Sequence, residues 1–310
     1  MSGGVVFLGG GGAGDSGGGG DAGGAGGADA LKERAATALE RALAFARAHG
    51  GELGLARAHA ALRAEPATRA RALADALQQG DGAFAPLGAD GECAVARELR
   101  ALGAAPAFAA TLDALALFAE LRCDDGDDVE RAVRFVEGRA DPDGGFGGAL
   151  AAGADEDARV LATALAAGSL GRSRYARPEG LAAAATWLAA RFAPERVEAA
   201  SFAGLAALAL FYATVPDELA DEALQWCGRE LEKRFRSHRV EALSVVQVLL
   251  ACQAGSLPGA SFAPEELLER LLAEQARDGG FDALCPDGAA ARVAPSVDAM
   301  RGIIGLCATF

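Results

Sequence analysis

One short turn recurs along this chain of 310 residues, and its spacing restricts the fold more than any other feature. QQGDGAF ends at Phe84, ADPDGGF at Phe146 and QARDGGF at Phe281. Each places Asp before Gly and closes on a single Phe. Gly supplies the positive φ that a tight turn requires, and Asp can bond the backbone of the turn. The Phe is placed to plug the gap between neighbouring units. Two further stretches, ARFAPERVEA from Ala190 and KRFRSHRVEA from Lys233, match each other at an offset of 43 without the glycines. Taking Phe84, Phe146, Phe192, Phe235 and Phe281 as markers, the steps are 62, 46, 43 and 46. A period of this size is that of stacked helical pairs.

The stretches between the turns read as helices. Ala, Leu, Arg and Glu dominate them, all good helix formers, and aromatics make up only 6% of the chain. The pattern predicts helices over 29–48, 51–64, 67–79, 92–102, 107–121, 127–138, 155–168, 178–192, 197–214, 217–235, 239–254, 264–276 and 295–308. The helix at 92–102 fills the long first step. Segments 127–138 and 217–235 carry charge on one face, whereas 197–214 and 239–254 are apolar nearly all round. A helix apolar on every side must be covered on every side, so the alternation predicts an outer and an inner layer. Six such pairs can close into a ring, which removes the ends an open solenoid must cap. The expected fold is all-α, an α/α toroid of about six outer/inner pairs over residues 29–310. Residues 1–28 are mostly glycine and read as a flexible tail. VVFLGGGGAG, Val5 to Gly14, imitates a dinucleotide loop but lacks the helix and βαβ unit that motif needs.

Charge and cysteine usage remove several function classes. A net charge of −14 argues against general binding to nucleic acid or anionic membrane. No stretch has the length of an apolar transmembrane helix. The six cysteines form no CxxC pair, and the first residues lack the basic region of a signal peptide. Packed thiols in a reducing, cytoplasmic setting are expected.

The turn resembles the QW repeat of squalene and terpene cyclases and its Phe-containing form in protein prenyltransferase β subunits. Q-x3-G-x-W appears with Phe for Trp as Gln78, Gly82, Phe84 and as Gln275, Gly279, Phe281. At Phe146 the turn keeps Gly144 but has Ala140 in place of Gln. ATLDALALFAEL, Ala110 to Leu121, followed by an outer helix and DPDGGFGG, is the order of those β subunits. The similarity covers most of residues 67–308 and implies the toroid. In such a ring every inner helix starts at the same mouth, where unpaired N–H groups attract anions. A diphosphate head at that mouth and an isoprenoid tail in the apolar bore is the ligand geometry this suggests. The inner starts are Asp90 to Cys93, Asp155 to Asp157, Glu198 to Ser201, His238 to Glu241, and Ser296 to Asp298.

Asp155-Glu156-Asp157-Ala158 resembles the DXDD acid motif of class II terpene cyclases. The resemblance implies Asp157 as the proton donor and Asp155 as its partner, although Ala158 replaces the last Asp. The competing reading is helix capping by Asp155, with acids in the first turn. The basic run Arg229, Lys233, Arg234, Arg236, His238, Arg239 stands out in an acidic chain. Arg234, Arg236, His238 and Arg239, with Asp298 on the last inner helix, are the candidate substrate-binding residues. A phosphate clamp and a solvated helix end are both open readings of the basic run. The prenyltransferase zinc set is matched only by Asp90, Cys93 and His238 at the wrong spacing, so no cofactor or metal is expected. His49 and His59 fall in an early helical region. The expected function is an isoprenoid-diphosphate-binding enzyme of the cyclase or prenyltransferase type, acting on that or another apolar small molecule. A non-catalytic toroid serving as a binding or interaction module is the alternative. So is a β-like subunit with a helical protein partner.

Overall fold

The computed structural model describes residues 24–92, 94–282 and 288–310. Among these the chain is helical, with no strand and one isolated bridge, Gln78 to Phe84. The α-helices are α1 Gly24–His49, α2 Glu52–Ala61, α3 Thr68–Asp75, α4 Ala94–Ala101, α5 Pro106–Leu121, α6 Asp127–Glu137 and α7 Glu156–Gly171. They continue as α8 Pro178–Ala189, α9 Pro194–Ala199, α10 Phe202–Thr214, α11 Ala220–Arg236, α12 Ala242–Ala251, α13 Pro264–Ala273 and α14 Val293–Cys307.

Two kinds of helix alternate. In α10 every residue from Ala203 to Tyr212 is buried. In α11 Ala223, Cys227, Leu231 and Phe235 are buried along one face, and most of the exposed residues are charged. The apolar set is α2, α5, α7, α10, α12 and α14. Within it α7 packs on α10, α10 on α12, α12 on α14, and α14 on α2. α14 also packs on α1.

The recurring turn makes the same bonds three times. The N–H groups of Phe84, Phe146 and Phe281 donate to the hydroxyls of Thr111, Thr163 and Ser296, at 3.0, 3.0 and 2.9 Å. Each hydroxyl in turn donates to the carbonyl four residues back on its own helix. Asp81, Asp143 and Asp278 accept the N–H two residues on. The glycines sit against the next flanking helix. A Cβ on Gly82 would lie 2.5 Å from the Arg131 carbonyl oxygen, and one on Gly144 2.6 Å from that of Ala183. With φ near +90° at these positions, no other residue fits. For Gly279 the flanking helix is α1: a Cβ there would lie 2.5 Å from the Arg41 carbonyl oxygen. The Gln78 side-chain amide donates to the Asp128 carbonyl on α6, and Gln275 donates to the Ala38 carbonyl on α1. The last turn therefore meets α1 as the first turn meets α6.

Three expectations are modified. Phe84, Phe146, Phe235 and Phe281 are buried, whereas Phe192 is only partly so. Phe235 lies inside α11, because no glycine interrupts that helix and the turn falls later, at His238 with φ of 55°. The single helix expected over 197–214 is two, α9 and α10. Ser201 starts the second by accepting the Gly204 N–H at 3.1 Å, an N-cap within an apolar run. α1 begins at Gly24, inside the glycine-rich stretch, since extending a helix is less costly than starting one. Residues 1–23, with the Val5–Gly14 run, lie outside the described residues.

Candidate functional site

The six apolar helices surround one cavity of about 130 Å3. Leu112 and Leu117 from α5, Leu165 from α7, Phe202 and Leu210 from α10, and Val248 from α12 form much of its wall. Charge is confined to two places. Near the start of α4, Glu92 and Asp113 line the wall and are paired, with Arg100 contacting both and Arg97 contacting Glu92. The second cluster lies where α5, α7 and α12 end. Glu120 is in the last turn of α5, Arg172 caps α7, and Ala251 is the last residue of α12. Arg57, Gln247, Asp298 and Arg301 complete it.

Arg57 is 5% exposed and is held by both oxygens of Glu120, at 3.1 and 2.8 Å, with its Nη1 donating to the Asp90 carbonyl at 3.0 Å. Arg301 Nη1 stands 3.5 Å from Glu120 and 3.8 Å from Asp298. Gln247 Nε2 donates to Asp298 Oδ2 at 3.0 Å. Burial works against the charge on Glu120, but Arg57 and Arg301 prevail and hold its pKa below the usual carboxylate value. Burial and the neighbouring Glu120 carboxylate push Asp298 upward. Two carboxyls on one wall are thus driven in opposite directions.

Arg172 differs from every other charged group in the cluster. Its Nε is buried with no hydrogen-bond partner. Among the described residues His59, Arg100 and Arg191 also have such an atom, but each stands by a carboxylate. Among the described residues no carboxylate forms an ion pair with Arg172. Burial lowers its pKa, and Arg301 across the cavity adds to this, while Cys252 first, and then Asp124 and Glu120, act in the other direction. A cation at the end of a helix is favoured by the dipole. One whose Nε is buried without a partner is not.

Of the candidate residues read from the sequence, Asp298 lines this cavity. Asp155 caps α7, its Oδ1 accepting the Ala158 N–H at 2.8 Å. The Asp157 side chain is 85% exposed and paired with Arg196 at 2.6 Å, away from the cavity wall. The basic run is engaged in contacts within α11 and to neighbouring segments. Arg234 donates to Glu230 at 2.8 Å and to the Glu198 carbonyl at 3.0 Å. Arg236 pairs with Glu232 and Glu266. His238 Nδ1 lies 3.4 Å from Arg270, and Arg239 donates to the Ser237 hydroxyl. Asp90 accepts the N–H groups of Gly51 and Gly54 at the start of α2. Cys93 and Cys285 lie outside the described residues. Cys227 and Cys252 are free thiols pushed up to about 12 by burial.

Arg57, Glu120, Gln247, Arg172 and Arg301 were missed by the sequence reading, and the signal for Glu120 and Arg301 was present. Asp113 and Glu120 stand two turns apart in the otherwise apolar ATLDALALFAEL, on one face of α5. Asp298 and Arg301 are likewise neighbours on α14. A charge within a helix that must be covered on all sides has to meet a partner or a ligand. Among the described residues no helix is long and apolar enough to cross a membrane, and no group of three His, Cys, Asp or Glu is placed to hold a metal ion. No family model, no curated protein and no solved structure matches this chain.

Proposed function

We propose that the two sets of helices form a closed α/α toroid whose bore binds a small, mainly apolar molecule with an anionic head. One observation carries this reading: Arg172 places a guanidinium without an anion on the wall of an apolar cavity. The head would lie between Arg172 and Arg301, and the tail along Leu117, Leu165 and Leu210. A water needs roughly 10–15 Å3 on the scale of this cavity, so the space suits about ten water-sized groups. That is the size of an eight-carbon chain with its head.

The head then sits at the C-terminal ends of the lining helices, and not at Arg234 to Arg239, where the resemblance of the repeat puts an isoprenoid diphosphate. An enzyme of the cyclase or prenyltransferase type is the second reading. Its support is the opposed pair Asp298 and Glu120, since carboxyls driven apart in pKa are suited to acid and base roles.

Calorimetric titration with a series of octyl-chain anions tests the binding. Saturable one-to-one binding of any of them should disappear in Ala206→Phe, which fills the bore. Circular dichroism checks that the variant is folded. Binding unchanged in Ala206→Phe, or none in the wild type, refutes the reading.

A further inference from the structure

Resting on that reading, we infer that the bore selects a head with a single negative charge, a carboxylate, over a diphosphate.

The charge around the head position sets the limit. Three guanidiniums, Arg57, Arg172 and Arg301, face two carboxylates, Glu120 and Asp298. Arg57 is consumed by the two-pronged bond to Glu120. Arg301 lies between Glu120 and Asp298. Arg172 is left as the guanidinium without an anion. One planar fork matches one carboxylate, both in geometry and in charge.

The backbone around the head acts in the same direction. α5 ends at Leu121, α7 at Gly171 and α12 at Ala251, next to the cluster. The last carbonyls of a helix carry partial negative charge. A single negative charge there is offset by Arg172. The further charges of a diphosphate would face helix C-termini and the Glu120 and Asp298 carboxyls with no cation left to meet them, and each would be desolvated without compensation.

The test compares octanoate, octyl diphosphate and 1-octanol, which share one tail, at fixed ionic strength on the wild type, Arg172→Met and Arg172→Lys. Octanoate should bind at least about tenfold tighter than octyl diphosphate, and 1-octanol should be weak. A hydrogen-bonded charged pair is worth roughly a ten- to hundredfold change in affinity, so Arg172→Met should lose that much for octanoate and little for 1-octanol. Arg172→Lys restores the charge without the fork and should recover part of the loss. Tighter binding of octyl diphosphate, or an unchanged octanoate affinity in Arg172→Met, overturns the inference while leaving an anion-binding bore. Equal affinity for octanoate and 1-octanol, or no binding of any probe, overturns the anion-binding bore itself.

Discussion

Replacing Arg172 by Met should make the protein more stable. The substitution keeps a flexible apolar stem and removes only the guanidinium. A buried donor without a partner costs about 1–3 kcal/mol, and Nε of Arg172 is such a donor. The side chain is partly exposed, so the lower end of that range applies. Against it stands the attraction of a cation to the end of α7, about 0.3–1 kcal/mol. The net gain is about 0.5 kcal/mol, which in a chain of this size raises Tm by roughly 1–2 °C. Urea unfolding followed by circular dichroism measures it, as a higher midpoint at unchanged slope. Adding octanoate should then invert the order. A ligand at about a hundred times its Kd contributes roughly 2.7 kcal/mol to the wild type and far less to a variant that binds it poorly. A loss of 1 kcal/mol or more in Arg172→Met without ligand would refute the reasoning, because it would mean the guanidinium is held by the fold and is not waiting for an anion.

Glu120→Gln should destabilise by about 3–5 kcal/mol, since Arg57 would be left buried without its carboxylate, and the double variant Glu120→Leu with Arg57→Met should recover much of this in urea unfolding. Asp298→Asn should match the wild type in acid and exceed it as pH rises. The folded pKa of Asp298 lies above its unfolded value, so the wild type is fully stable below the unfolded value near 3.9 and loses stability as pH climbs through the folded one. Urea midpoints between pH 3 and 8 will show the gap opening with pH, and a constant gap would contradict the raised pKa.

The helices and the turn were legible because their physics is local. Asp81, Gly82 and Phe84 specify a turn within a few residues, and Asp143 to Phe146 and Asp278 to Phe281 repeat it. The hydroxyls that receive the Phe N–H groups were not seen, since Thr111, Thr163 and Ser296 stand 27, 17 and 15 residues beyond their Phe. The cavity charges were harder still. Arg57, Glu120, Arg172 and Arg301 come from four helices and meet only when all of them are packed. The basic run at Arg234 to Arg239 was conspicuous as a local density of charge, but Glu230, Glu232 and Glu266 answer Arg234 and Arg236 within it. Net charge along a segment does not reveal which cation lacks a partner. That property belongs to the tertiary arrangement.

The seating of Gly279 on α1 bears on how the molecule comes apart. In a row of stacked units the outermost ones have a neighbour on one side only, and melting runs inward from them. Here α1 is covered by α13 and α14, and Gln275 and Arg41 tie it to the last turn by the same kind of bond that ties α6 to the first. Neither extreme of the row is loose. Unzipping one unit at a time has no place to begin, and opening any joint must break contacts on two sides. Loss of structure is then expected to be concerted, and the wall of the cavity, drawn from six helices, keeps or loses its shape as a whole.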